Sequence, residues 1–161
     1  MDSKQLEQYR YGGARAMILL HERHMRSFVR TWRTAKSSGV ILPETESPAY
    51  ASMEALLAHL LRAAGGYMTW MCGKLDLPAP GIESAPEAAE AEQKAEDYLD
   101  HLLERWRLPL AEVAPARYTQ PIHTTSGGVG YSIDAILEHA VMHPIRHEFQ
   151  LANLIEKHGP S

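Results

Sequence analysis

Apolar residues recur along this chain at three- and four-residue intervals, the period of helices that bury one face. From about Ala14 to Ala35, Met17, Ile18, His21, Met25, Phe28, Val29 and Trp32 share one stripe, and Ser37-Ser38-Gly39 stops it. A second segment is expected to open at Ser47-Pro48, a capping residue followed by proline at the first helical position, and to run to about Leu75. Its apolar face includes Met53, Leu56, Leu57, Leu60, Ala64, Tyr67, Met68 and Met71. The proline- and glycine-rich stretch 76–86 precedes a third segment, for which Ser84 is the expected cap, Glu87 completes a capping box and Pro86 fits the first turn. Ala88, Ala91, Ala95, Tyr98, Leu99, Leu102 and Trp106 form its stripe. A fourth runs from about Ser132 to Lys157, ended by His158-Gly159-Pro160.

Runs of β-branched residues are absent. Between the third and fourth helices lies a loop over 107–131, with a short extended piece expected around Tyr118–His123; loops this long tend to be functional. The pattern predicts an all-α fold, a four-helix bundle with a long loop between helices 3 and 4, as one domain over residues 1–161.

Composition narrows the function. With 45% apolar and 22% charged residues the 161-residue chain reads as globular. A net charge of −4 with no basic stripe argues against nucleic acid as a partner. No uninterrupted apolar run suits a membrane span, and no basic stretch followed by an apolar run suggests a signal peptide at the N-terminus. The single cysteine, Cys72, rules out an internal disulfide and fits a reducing cytoplasm; it is expected to be inert and partly buried. Nine histidines are more than a chain of this size usually holds.

Three of them stand at four-residue spacing in EHAVMHPIRHEFQL, residues 138–151. Histidines at i and i+4 lie one above the other and can grip one ion. The apolar arc of this helix centres on Ile133, Ala140 and Leu151. His147 falls about 40° and His143 about 80° from that centre, whereas His139 is displaced by about 120°, toward the rim. A buried metal would take His143 and His147, leaving His139 to support them or face solvent. Pro144 either helps aim His143 or simply bends the helix around the core. A third ligand must come from another segment, and His59, at the edge of the second helix's apolar arc beside Ala55, Ala63 and Gly66, supplies it.

His21, inside the first stripe, is a second supporting candidate: a core histidine hydrogen-bonded to a neighbour, or a fourth ligand. His24, His101 and His158 read as flank or surface residues, and His123 could reach a pocket mouth. Glu148 is unexpected near the apolar arc and would pair with Arg26 or Arg30, or line a subunit contact. There is no HExxH, no GxSxG, no phosphate loop and no CxxC, and no carboxylate has the spacing a di-iron site needs.

MEALLAHLLRAAGGYMTWM resembles the second helix of the DinB-like superfamily of metal-binding four-helix bundles, and HAVMHPIRHEFQL resembles its last-helix signature. Position by position, the resemblance implies His59, His143 and His147 as the three metal ligands and Gln150 as the family's glutamine. The family's His-Arg-Gly-Gln run is here His147-Glu148-Phe149-Gln150, so the arginine and glycine are replaced. The resemblance further implies zinc or nickel, thiol-dependent transferase or isomerase chemistry with a low-molecular-weight thiol such as mycothiol or bacillithiol, and a homodimer.

The expected activity is therefore that of a divalent-metal-dependent enzyme acting on a small molecule, either a thiol-dependent S-transferase or isomerase or a hydrolase. No side chain is assigned as the catalytic nucleophile; water or a thiol activated by the metal fills that role. The substrate would enter beneath the 107–131 loop, with Tyr67, Trp70 and Tyr131 as walls and Gln150 as a contact. The alternative is a non-catalytic bundle in which the metal is a structural clasp or sensor in an interaction protein. A third reading makes the histidines packing residues with no metal.

Overall fold

The structure is a computed structural model that describes residues 8–158. The N-terminal stretch, where no signal peptide is expected, lies mostly outside the described residues, as does the Gly159-Pro160 stop. The fold is mostly helical and all-α in class. Four long helices, α1 (Gly12–Ser37), α2 (Met53–Lys74), α3 (Ala88–Trp106) and α5 (Ile133–His158), match the four periodic segments. A single 3-10 turn, Pro48–Tyr50, precedes α2. The 107–131 segment holds a one-turn helix, α4 (Ala116–Thr119), and a two-stranded antiparallel hairpin. Its strands are β1 (His123–Thr124) and β2 (Gly130–Tyr131), with His123 opposite Tyr131.

Helix α1 lies along α5 and α2 along α3, while α2 also meets α5. Their stripes converge on one core in which Phe28, Trp32, Leu57, Leu102, Trp106 and Leu137 are buried. Each such side chain contributes roughly 1.5–3 kcal/mol relative to exposure. Two indoles also satisfy backbone carbonyls of α2: Trp32 Nε1 donates to Met53 O at 2.6 Å, and Trp106 Nε1 to Ala64 O at 3.1 Å. These bonds fix α2, the helix that carries His59, against α1 and α3.

The helix ends show where local signals misled. Ser47 and Pro48 start only the 3-10 turn, because Ser52 is fully extended (φ −159°, ψ 167°) and breaks the helical path; Ser52 Oγ then accepts the Ala55 N–H at 3.0 Å as the true cap of α2. The expected Ser84–Glu87 capping box does not form. Glu87 is itself the extended residue before α3 and reaches Arg62 at 3.2 Å, which leaves Ser84 and Pro86 outside the helix. Tyr118, expected in an extended piece, is buried in α4 with its hydroxyl on Leu110 O at 3.0 Å; the backbone is extended at Gln120, before the cis Gln120–Pro121 bond, and the strand begins at His123. Helix α1 stops as read, with Gly39 at φ +72° and the Val40 N–H on Ala35 O. No helix among the described residues is long and apolar enough to cross a membrane.

Candidate metal centre

Helix α2 brings His59 to face His143 and His147, which stand one turn apart on α5. One ring nitrogen from each of the three lies within 4.8 Å of the other two, and among the described residues this is the group able to hold a metal ion. His59 Nε2 and His143 Nε2 are 3.1 Å apart. Two nitrogens each ~2.0–2.1 Å from one zinc at a tetrahedral angle would stand roughly 3.4 Å apart, so the observed spacing is close to that of two ligands on one ion. The rings do not stack on one another: His59 is edge-on to His143 (84°) and to His147 (82°), and His143 meets His147 at 60°. His143 and His147 are buried and His59 is half-buried.

On His143 and His147 the ring nitrogen that points away from this group is held. Tyr67 Oη lies 3.2 Å from His143 Nδ1, and Tyr50 Oη lies 3.0 Å from His147 Nδ1. Tyr50 also donates its hydroxyl proton to Gln150 Oε1 at 2.5 Å. Having spent its proton there, Tyr50 offers only lone pairs to His147, so Nδ1 carries the imidazole hydrogen and Nε2 keeps a free lone pair. Burial works in the same direction. Desolvation, followed by the neighbouring imidazoles and Arg146, lowers His143 to about 3 and His147 to about 4. His59 is also lowered, first by burial and then by Arg62 and Arg146. At neutral pH all three are uncharged, the form a metal takes. The phenols of Tyr50 and Tyr67 are raised by burial and stay protonated.

The remaining sequence candidates fall around this group in different ways. His139 is half-buried at the rim, its ring 6.1 Å from His143 and edge-on to Tyr67 at 5.4 Å. His21 lies apart, stacked on Trp106 at 3.7 Å and 10°. It was expected to hydrogen-bond a neighbour or to be a fourth ligand, yet it is buried with one face on the indole, and among the described residues neither of its nitrogens has a partner. Burial lowers it to about 3. Glu148 does not pair with Arg26 or Arg30: the Ser27 and Thr31 hydroxyls donate to its Oε1 at 2.6 and 3.1 Å, and Arg26 turns to Glu22 and Asp100. His101 is partly exposed, and its Nε2 accepts the Glu83 N–H at 3.0 Å. Cys72 is buried, which pushes its thiol up and keeps it unreactive.

A cleft of about 440 Å³ opens beside His147. It is bordered by the 42–50 segment and by α5, with Gln150 in its wall, whereas the 107–131 loop had been expected over the entrance. That loop lies on the other side, where Tyr131 comes within 6.4 Å of His139 and His123 meets the edge of Trp70 at 5.9 Å. Trp70 also carries Lys74 Nζ at 5.7 Å over its ring. Of the four expected substrate contacts, Gln150 borders the cleft and Tyr67 touches a ligand histidine directly. Sequence reasoning missed Tyr50, which lies 97 residues from His147 with no periodic or motif signal to link them. No family model, curated protein or solved structure matches the chain.

The donor set fits a borderline divalent ion. Three imidazole nitrogens with no thiolate or carboxylate suit zinc, nickel, copper or iron and disfavour calcium and magnesium.

Proposed function

We propose that this chain is a divalent-metal-dependent enzyme acting on a small molecule, with zinc or nickel held by His59, His143 and His147 in a four-helix bundle of the DinB-like kind. The observation that carries this reading is a largely buried group of three neutral imidazoles with no fourth His, Cys, Asp or Glu in it among the described residues. Three protein ligands and a free position are the mark of catalytic rather than structural zinc sites. Three neutral donors leave both charges of a divalent cation uncompensated, so the cation would supply a lowered pKa, near ~7 for water and lower for a thiol.

The chain's own residues do the rest. Tyr50 and Tyr67 fix the orientations of His147 and His143, and Gln150 accepts the Tyr50 hydroxyl's hydrogen bond. Transfer to or from a low-molecular-weight thiol is preferred to hydrolysis because of the resemblance of the two helix motifs.

The test begins with elemental analysis of the purified chain beside His143→Ala. Near-stoichiometric zinc or nickel in the first and its loss in the second are expected. Equal, sub-stoichiometric metal in both would sink the reading. Conjugation of small thiols to electrophiles is then screened; full metal occupancy without turnover would favour a structural clasp.

A further inference from the structure

The cleft beside His147 has an order to its chemistry. Along α5, Gln150 and Leu151 stand three and four residues after His147, Leu154 and Lys157 follow at further three-residue steps, and all line it. The 42–50 segment also lines it, contributing Leu42, and Tyr50 stands at the histidine end, 3.0 Å from His147 Nδ1. The lining of this trough is polar at His147, Tyr50 and Gln150, mixed elsewhere, where leucines stand beside Thr45, Ser47 and Asn153, and cationic at Lys157, the one formally charged side chain among the described residues that line it. From His147 to Lys157 the helix rises roughly 15 Å. A lysine side chain leans back toward the helix N-terminus, which shortens the span its ammonium leaves to be filled.

We propose that this trough binds an elongated amphiphile with one terminal carboxylate, seated with the carboxylate at Lys157, its aliphatic body along Leu42, Leu151 and Leu154, and its far end at His147. Volume is compatible: about 440 Å³ lies within the range of small-molecule pockets and accommodates a medium-chain molecule. Charge supports it as well, because a chain of net charge −4 presents a lone ammonium at the mouth of an otherwise uncharged lining. That the His147 end receives the reacting group rests on the metal-centre reading; binding of the anionic amphiphile does not.

The test is calorimetric titration of the purified full chain with octanoate, octan-1-ol and octylammonium. Octanoate is expected to bind about fivefold or more tightly than octylammonium. Lys157→Gln should weaken octanoate about fivefold and leave octan-1-ol unchanged. Leu154→Trp and Leu42→Trp fill the trough from α5 and from the 42–50 segment, and each should abolish binding of both while circular dichroism stays native. His143→Ala, whose metal content is measured alongside, should still bind octanoate, so loss of metal and loss of the trough are read separately. The proposal is overturned if octanoate does not bind or if its affinity is unchanged in Lys157→Gln. It is equally overturned if both tryptophan variants bind normally, or if binding disappears with the metal in His143→Ala.

Discussion

The hydroxyl of Tyr50 sits 3.0 Å from His147 Nδ1 and donates its hydrogen bond to Gln150 Oε1, so a residue on the 3-10 turn before α2 sets which nitrogen of an α5 histidine is free. Groups in this position typically change metal affinity by about 10–100-fold when removed. Tyr50→Phe should therefore weaken zinc binding by that factor in competition with a chelating indicator. Its unfolding free energy should move by no more than about 1 kcal/mol, since one partly exposed hydrogen-bonded hydroxyl is lost.

Metal loading should register in thermal stability. Zinc at a hundredfold excess over its dissociation constant adds about 2.7 kcal/mol to a protein that binds it only when folded. A scanning-calorimetry shift on zinc addition is expected for the wild-type chain and should be absent in His147→Ala. A shift of equal size in that variant would mean the ion binds elsewhere.

Acid should destabilise the chain through His21. Its folded pKa, about 3, lies below the ordinary value of 6.5, so the unfolded chain takes up the proton first. The stability linked to it is complete above pH 6.5 and drains away as pH falls toward 3. His21→Phe keeps a flat ring against Trp106 and removes two unpartnered nitrogens. Urea unfolding should show a gain of about 1–2 kcal/mol at pH 7 and a shallower loss between pH 6.5 and 4.

Two serines discriminate between cap assignments. Ser52→Ala should cost about 1 kcal/mol, because Ser52 Oγ holds the Ala55 N–H. Ser84→Ala, outside α3, should stay within about 0.5 kcal/mol in the same denaturation experiment.

The contrast between those serines shows what the sequence could carry. The four long helices were legible because burial of one face writes a period into every turn, and Phe28, Leu57, Leu102 and Ile133 all lie in the core their stripes predict. His143 and His147 were legible for the same reason: i, i+4 spacing and angle from the arc are local quantities. His59 needed one further step, the inference that another helix must supply a ligand. Features settled by distant partners stayed hidden. Tyr50 finds His147 across 97 residues, Glu148 finds Ser27 and Thr31 across 121 and 117, and nothing in a helical wheel reports such meetings. Helix starts failed where competing caps lay within a few residues, since the extended geometry at Ser52 decides between them only in the folded chain.

His59 and His143 are separated by 84 positions in sequence, yet their nitrogens meet across α2 and α5. Closing so long a loop carries an entropic cost that grows only with the logarithm of its length, and here the leucines and tryptophans of the interior meet it. In the smallest zinc folds the ion itself must hold the polypeptide together, so a chelator unravels them. Here a chelator would strip the cation and leave the scaffold standing, so the chain can wait empty and be reloaded without refolding.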